Sequence, residues 1–491
     1  MTGKNLFLPS LFWPSLFQPS FCLRVPLSIG CLVRTRACFQ GTSAHWGRFL
    51  VLAALALCPQ LLLGQQPGPK ADPRDMGLIL PRGIPQPGLD RRVVVRTDDG
   101  EAVVAKVYLE IGDRFVLLLP DGRLTSLPQL EATLTDRPFE PATKKKIAGD
   151  LVKRKFKGFK TRTTNHYLYV YNTSQAFFEA TSRILETMYP NLVAYCKRQK
   201  LDMHTPETPL IVIMFHTEDE FSRYRKMSNQ VAAYYNEVNN YVVMYEQSSL
   251  AAMAPNIAIK QSISTIAHEG VHQILYNTGA QQRLSAWPMW ISEGLPEFFA
   301  PTSLRRRVRW AGLGQVNQLR LHALVVQFKE QPLAGDGSWL RKTIAAKKLD
   351  SNGYAAAWAV THFLAKTHKP QFSAYVHEVS QQRPLEAAAE SSQLFEKHFG
   401  TDYAALEAGV AKHLGRLPYV DPIANQPHFV AALETPARRL LMMSTSPAVI
   451  QEWHARLLAN TPVNVRKFSR FNVEVYPTRA LAVQAVQTLS N

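Results

Sequence analysis

From Arg91 to about Leu134, apolar and polar residues alternate in short runs that "DDG", "GD" and "PDG" interrupt. Alternation bounded by turn tokens predicts about five short strands, folded as a small barrel over 91–140. Farther on, "HYLYVYNT" predicts a strand and "SQAFFEATSRILETMYPNLVAYCKRQK" a helix, with Phe177, Ile184, Leu185, Met188 and Leu192 at helical spacing. "PLIVIMFHTEDEFSRY" reads as a buried strand running into a helix, and "AAYYNEVNNYVVMYE" as a hairpin about an Asn-rich turn. In "STIAHEGVHQILYNTGA", Ile263, Ile266, Val271, Ile274 and Leu275 form one helical stripe, with Gly279 placed to end it. A helical pattern runs from about 320 to 417, and strand-like and helix-like runs alternate over 426–491. The expected fold class is α+β: the barrel, a body over 166–418 whose first half is a small mixed sheet and whose second half is helical, and a small C-terminal α/β segment over 426–491.

Composition adds the compartment. A chain of 491 residues exceeds one compact core, and 46% hydrophobic against 19% charged residues argues against wholesale disorder. Residues 1–64 carry Lys4, Arg24, Arg34, Arg36 and Arg48 but no acid, and end in an apolar run closing at Gly64. This reads as a secretory leader, with a retained anchor as the alternative. Four of the five cysteines lie in that leader, so a mature chain with Cys196 alone forms no internal disulfide. Residues 65–90, rich in Pro and Gly, read as a linker. Without the leader, 51 basic residues face 38 acidic ones, a net +13, and nine cations cluster between Lys144 and Arg162. This basic linker, 141–165, is either a solvated interdomain helix or a patch for an anionic surface of the cell envelope. No nucleic-acid-binding pattern is present, and none is expected as a partner.

The chemistry lies in "HEGVH". Residues one helical turn apart share a face about 6 Å apart, so His268 and His272 can reach one cation. Glu269 lies about 100° around the same helix, where it addresses a metal-bound water instead. Twenty residues after His272 begins "WPMWISEGLPEFF", in which Glu293 offers a third ligand from a second helix. Two imidazoles and a carboxylate leave a fourth tetrahedral position for water.

With these residues the chain resembles the gluzincin metallopeptidases, the clan of thermolysin and aminopeptidase N. The resemblance implies that His268, His272 and Glu293 bind one Zn2+ and that Glu269 is the general base. It implies that Glu297 hydrogen-bonds a ligand histidine, against the plain alternative of a surface glutamate. Pro296 then requires the helix to begin near Ser292 or to kink. Tyr354, in "SNGYAAAWAVTHFL", stands where the clan supplies an oxyanion donor, the alternative being a tyrosine packed on its helix. Ala232, Ala233, Tyr234 and Tyr235 correspond to the clan's substrate-binding edge strand. Aminopeptidases of the clan carry an amine-capturing glutamate there, whereas this chain has Tyr235, with Glu237 close by. From His166 to about Leu417 the layout is similar to the bacterial exported family called domain of unknown function 1570. The 91–140 segment resembles the Sla homology domain 1 type of SH3-like module, which implies binding or spacing.

The expected function is an exported zinc-dependent endopeptidase acting on peptides or proteins. An aminopeptidase of the same clan and a catalytically silent metal-binding or envelope protein remain the alternatives.

Overall fold

The computed structural model describes residues 66–67, 72–97, 100–225, 231–247, 255–303, 308–386, 390–422, 424, 426–436 and 438–490. The expected leader, 1–64, lies outside them, as does part of the expected linker. The fold is mixed α+β.

The N-terminal strands are β1 (Arg92–Arg96), β2 (Ala102–Ile111), β3 (Arg114–Leu118), β4 (Leu124–Pro128) and β5 (Thr133–Leu134). They form an antiparallel sheet in the order β4-β3-β2-β1-β5, with Gln86–Pro87 added against β2. In β2, simple alternation would put residues 105, 107, 109 and 111 on one face. A register shift between Val107 and Leu109 breaks that parity. Ala105 and Val107 therefore join one core with Phe115 and Leu117, while Leu109 and Ile111 join another with Val116 and Leu124. The second core also takes in Val238 and Leu284, so this sheet is seated on the body of the protein. Buried Arg283 fastens the joint. Its guanidinium donates to Gly122 O at 2.8 Å, to Val238 O at 2.9 Å and to Glu237 O. Leu124 N donates to Val238 O at 2.7 Å beside it.

Next come α1 (Lys144–Arg154), β6 (Lys160–Thr163), β7 (Tyr167–Tyr171), α2 (Gln175–Arg198), β8 (Leu210–Thr217), α3 (Glu218–Tyr224), β9 (Val231–Asn236) and β10 (Tyr241–Gln247). The central sheet runs β9-β10-β8-β7-β6; β8 is parallel to both its neighbours, and β9-β10 and β7-β6 are antiparallel pairs. Its middle strands are buried on both faces, as the apolar run at 210–215 requires. Tyr169, Val212, Met214 and Val242 face α2 and the motif helix, while Leu168, Val170, Ile211 and Val243 face the other way. That second face is covered by Ile147, Ala148 and Leu151 of α1 and by Phe156. The basic stretch is thus more than a linker: it supplies a helix that packs and a strand that pairs, with its cations on the outer side.

The motif helix α4 (Pro255–Asn277) lies on the first face of the sheet. A Cβ at Gly270 would fall 2.3 Å from Leu185 Cδ2 of α2, so the glycine allows the two helices to touch. The second helix, α5 (Met289–Phe299), lies against α7 (Ser351–Thr367), with α6 (Gln318–Glu330) between them in sequence. Here a Cβ at Gly294 would meet Thr361 Oγ1 at 2.2 Å and Ala357 O at 2.6 Å. Around this contact Trp290 and Trp358 are fully buried. Helix α8 (Tyr403–Leu414) closes the helical half: His413 Nε2 is 2.8 Å from His362 Nδ1, and His362 Nε2 is 3.3 Å from Gly314 O. The C-terminal segment is a three-stranded antiparallel sheet, with His428–Glu434 between Arg439–Ser444 and Arg470–Tyr476, packed with two helices. Among the described residues no helix is long and apolar enough to cross a membrane.

Two outcomes follow for stability. Gly294→Ala pushes α5 off α7 and costs about 1–3 kcal/mol by overpacking, measurable by urea denaturation. Burial, followed by the charge of His413, lowers the His362 pKa to about 4. Its unfolded value is about 6.5, so the unfolded chain binds the extra proton between these limits. The stability contributed by neutral His362 is present above about pH 6.5 and is lost as pH falls towards 4. The thermal midpoint therefore declines over this window, and His362→Phe makes the decline shallower.

Candidate metal centre

Helices α4 and α5 bring three side chains to one point. His268 Nε2 lies 3.1 Å from Glu293 Oε2 and 3.2 Å from His272 Nε2, and His272 Nε2 lies 3.5 Å from Glu293 Oε2. Ligand atoms bound at about 2.0–2.1 Å on tetrahedral corners stand about 3.3–3.4 Å apart, so this triangle has the size a zinc ion needs. Two imidazole nitrogens and a carboxylate oxygen all turned to one point are an arrangement that one cation satisfies at once. Among the described residues this is the group of histidine and acidic side chains whose ligand atoms converge tightly enough to hold a metal.

Charge gives the same answer. Glu269, Glu293, Glu297 and Arg320 are all held at the centre, the three carboxylates each no more than 3% exposed. Three carboxylates against one guanidinium leave two negative charges, which a divalent cation balances. In the protein alone, protons do part of that work. Burial disfavours a charged His268, yet the hydrogen bond to Glu293, the Glu297 carboxylate close to its other ring nitrogen and the charge of Glu269 raise its pKa. Burial also opposes ionisation of Glu293, but His272 and His268 hold it well below the usual carboxylate range. Glu269 is pushed up to about 8, chiefly by burial and, against the pull of His268, by the charge of Glu293.

Helix α5 begins at Met289, earlier than Ser292, and continues through Pro296 to Phe299. Glu293 and Glu297 therefore sit one turn apart on the same side. Glu297 is buried, not a surface residue, and its Oε1 is 3.2 Å from His268 Nδ1, an ion-pair distance without hydrogen-bond alignment. Tyr354, on the first turn of α7, is 3% exposed, and its ring centre is 6.1 Å from that of His268. Burial and then the charges of Glu293 and Glu269 keep its hydroxyl protonated, hence a neutral donor.

Glu269 faces the strand. Its Oε2 accepts the Tyr235 N–H at 2.7 Å, while its Oε1 is buried with no hydrogen-bond partner among the described residues. A polar network sets this spacing: Tyr235 OH is 2.9 Å from Asn240 Oδ1, Asn240 Nδ2 is 2.8 Å from Asn277 Oδ1, and Gln273 Nε2 is 2.9 Å from Asn240 O. Ala233 lies on the α4 side, and the Tyr234 ring points to the opposite face, against Phe221. Outside β9, Gln66–Pro67 pairs with it in parallel, Gln66 opposite Val231 and Pro67 opposite Ala233. Ala232 lies between these two positions and is buried. Glu237 is turned away: its Oε2 accepts Leu284 N–H at 3.2 Å. Sequence reasoning missed Asn317, Arg320, Asn240 and Gln273. The one available signal was Asn317, a cap-forming residue ahead of a helical run.

Zinc added to chelator-stripped protein should bind at about one ion per chain and raise the thermal midpoint, since only the folded chain assembles the three ligands. Glu293→Ala and His272→Ala should each abolish that rise, read by metal analysis and differential scanning.

Residues 262–386 match a family model described as "Protein of unknown function (DUF1570)". No curated protein matches the chain. Among solved structures, a mutant of an M1 zinc metallopeptidase from Deinococcus radiodurans is similar at 13% identity with a TM-score of 0.24, covering 54% of each chain. A two-domain M1 zinc metallopeptidase mutant bound to L-arginine is similar at 13% identity with a TM-score of 0.24, covering 51% of each chain. The chain thus spans about half the length of the structures it matches.

Proposed function

We propose that the chain is an exported zinc-dependent endopeptidase. The observation that carries this reading is the meeting of His268, His272 and Glu293 at zinc-sized separations, with a carboxylate oxygen of Glu269, unpartnered among the described residues, beside them. Zinc in such a set supplies Lewis acidity that brings hydroxide chemistry within reach near pH 7. Glu269 takes the proton of the attacking water at Oε1 while Oε2 stays anchored to the Tyr235 amide, and it later passes that proton to the leaving amine. Tyr354, neutral and next to His268, supplies a hydrogen bond to the oxyanion. Glu297 orients His268 from behind. Strand β9 receives the substrate's main chain as an added strand; its pairing with Gln66–Pro67 supports this, and a peptide bound there displaces that segment.

Tyr235, in place of an amine-binding acid, and the engagement of Glu237 with Leu284 favour internal cleavage over amino-terminal trimming. Export rests on the 1–64 leader. The N-terminal sheet serves as an SH3-like module, and α1 gives it and the body a basic flank for envelope contact.

Glu269→Gln should keep the zinc and lose about 10²- to 10⁴-fold in peptide hydrolysis. A panel of free and N-acetylated peptides decides the class: cleavage of both supports an endopeptidase, and cleavage of the free ones alone makes it an aminopeptidase. Zinc binding with no hydrolysis of any peptide leaves the silent metal-binding alternative.

A further inference from the structure

We propose that Asn317 and Arg320, at the start of α6, form a clamp that orients His268 through Glu297 and pins Tyr354 beside the same centre. The proposal rests on the metallopeptidase reading for the roles of His268 and Tyr354.

Glu297 is held at both oxygens. Arg320 Nη2 donates to Oε1 at 2.6 Å, and Asn317 Nδ2 donates to Oε2 at 2.9 Å. The Asn317 amide has no freedom to flip, because its Oδ1 accepts the Arg320 backbone N–H at 3.3 Å and caps α6. One helical turn thus presents two donors of fixed direction to one carboxylate. With its plane locked, Glu297 keeps Oε1 within 3.2 Å of His268 Nδ1, so the opposite nitrogen of that ring points at His272 and Glu293. An imidazole with a fixed carboxylate at ion-pair distance from its far nitrogen loses less rotational freedom when it binds a cation.

The same guanidinium reaches the other side of the site. Its Cζ is 5.3 Å from the centre of the Tyr354 ring, a cation–π distance, and that ring is the one packed edge-on to His268. Arg320 thereby couples two parts from different helices: the glutamate behind a ligand on α5 and the tyrosine on α7. Lysine would keep the charge but lose both the planar fork and the stack. Arg320 acts through Glu297 and Tyr354, which makes it a positioning residue.

The test uses the full chain, stripped with chelator and reloaded. Zinc affinity is read by competition with a chromophoric chelator, and geometry by the visible spectrum of the Co2+ form. Arg320→Met should weaken zinc binding about 10- to 100-fold and alter the Co2+ spectrum. In a Glu297→Gln background the same change should cost little more, because the route through Glu297 is already cut. Arg320→Lys should recover most of the affinity but leave kcat low at unchanged KM, since Tyr354 loses its stack. Asn317→Ser, which still caps the helix but has no amide donor, should give an intermediate loss, and it carries the test if Arg320→Met does not fold. Wild-type affinity and spectrum in folded Arg320→Met, or a full additional loss in the Glu297→Gln background, would overturn the clamp. Either result would do so while peptide hydrolysis by the wild type stood. Conversely, a wild type that binds zinc and cleaves nothing would sink the peptidase reading and leave the clamp intact.

Discussion

Three carboxylates packed into one nearly dry volume are the constraint around which the rest is arranged. Isolated buried charges cost several kcal/mol each, so such a group survives only with close compensation. Arg320 neutralises one charge, and the remaining two match what a divalent cation held by His268, His272 and Glu293 would balance. The helices that deliver these groups must approach closely, since a centre with ligand separations near 3 Å tolerates little slack. Gly270 and Gly294 supply that closeness, one where α4 meets α2 and the other where α5 meets α7. The chemistry and the packing are therefore the same problem solved twice.

A second dependence runs outward from Glu269. Its carboxylate touches the backbone of β9, and β9 is held to α4 by the Tyr235–Asn240–Asn277–Gln273 network. The turn after β9 is gripped in turn by Arg283, which also binds the backbone of the N-terminal sheet at Gly122. The N-terminal module thereby braces the hairpin next to the candidate base. The resemblance of this segment to an SH3-like module implied binding or spacing, and its second core takes in Val238 and Leu284 of the body.

Much of this was legible in the chain. The period of the apolar stripe around residues 263–275 marked α4, and two histidines one turn apart on it could be assigned a shared face because helical geometry is local. The strands at 167–171 and 210–217, the hairpin at 231–247 and the C-terminal α/β pattern were visible for the same reason. Helix boundaries were less so. Pro296 suggested a later start for α5 or a kink, yet the helix begins at Met289 and runs through the proline to Phe299. The basic stretch from Lys144 read as a solvated interdomain helix or an anion-binding patch because its charges outnumber its apolar residues. Ile147, Ala148 and Leu151 are nonetheless enough to seat it on the sheet.

What the sequence determined by itself was a set of short-range relations: which residues share a helix face, where turns fall, and that His268, Glu269 and His272 form one unit. Glu293 was also placed from sequence, but tertiary structure alone decided which other distant residues support that unit. Nothing in the spacing of Arg320, Asn317 or Asn240 ties them to the centre. They reach it because α6 and the hairpin turn fold back over tens of residues, a placement set by the shape of the whole core. The sign of a buried group's contribution depends on what surrounds it in space. For that reason the sequence leaves Glu297 between a histidine partner and a surface glutamate, and only in the fold does it become the carboxylate fixed between an arginine and a histidine.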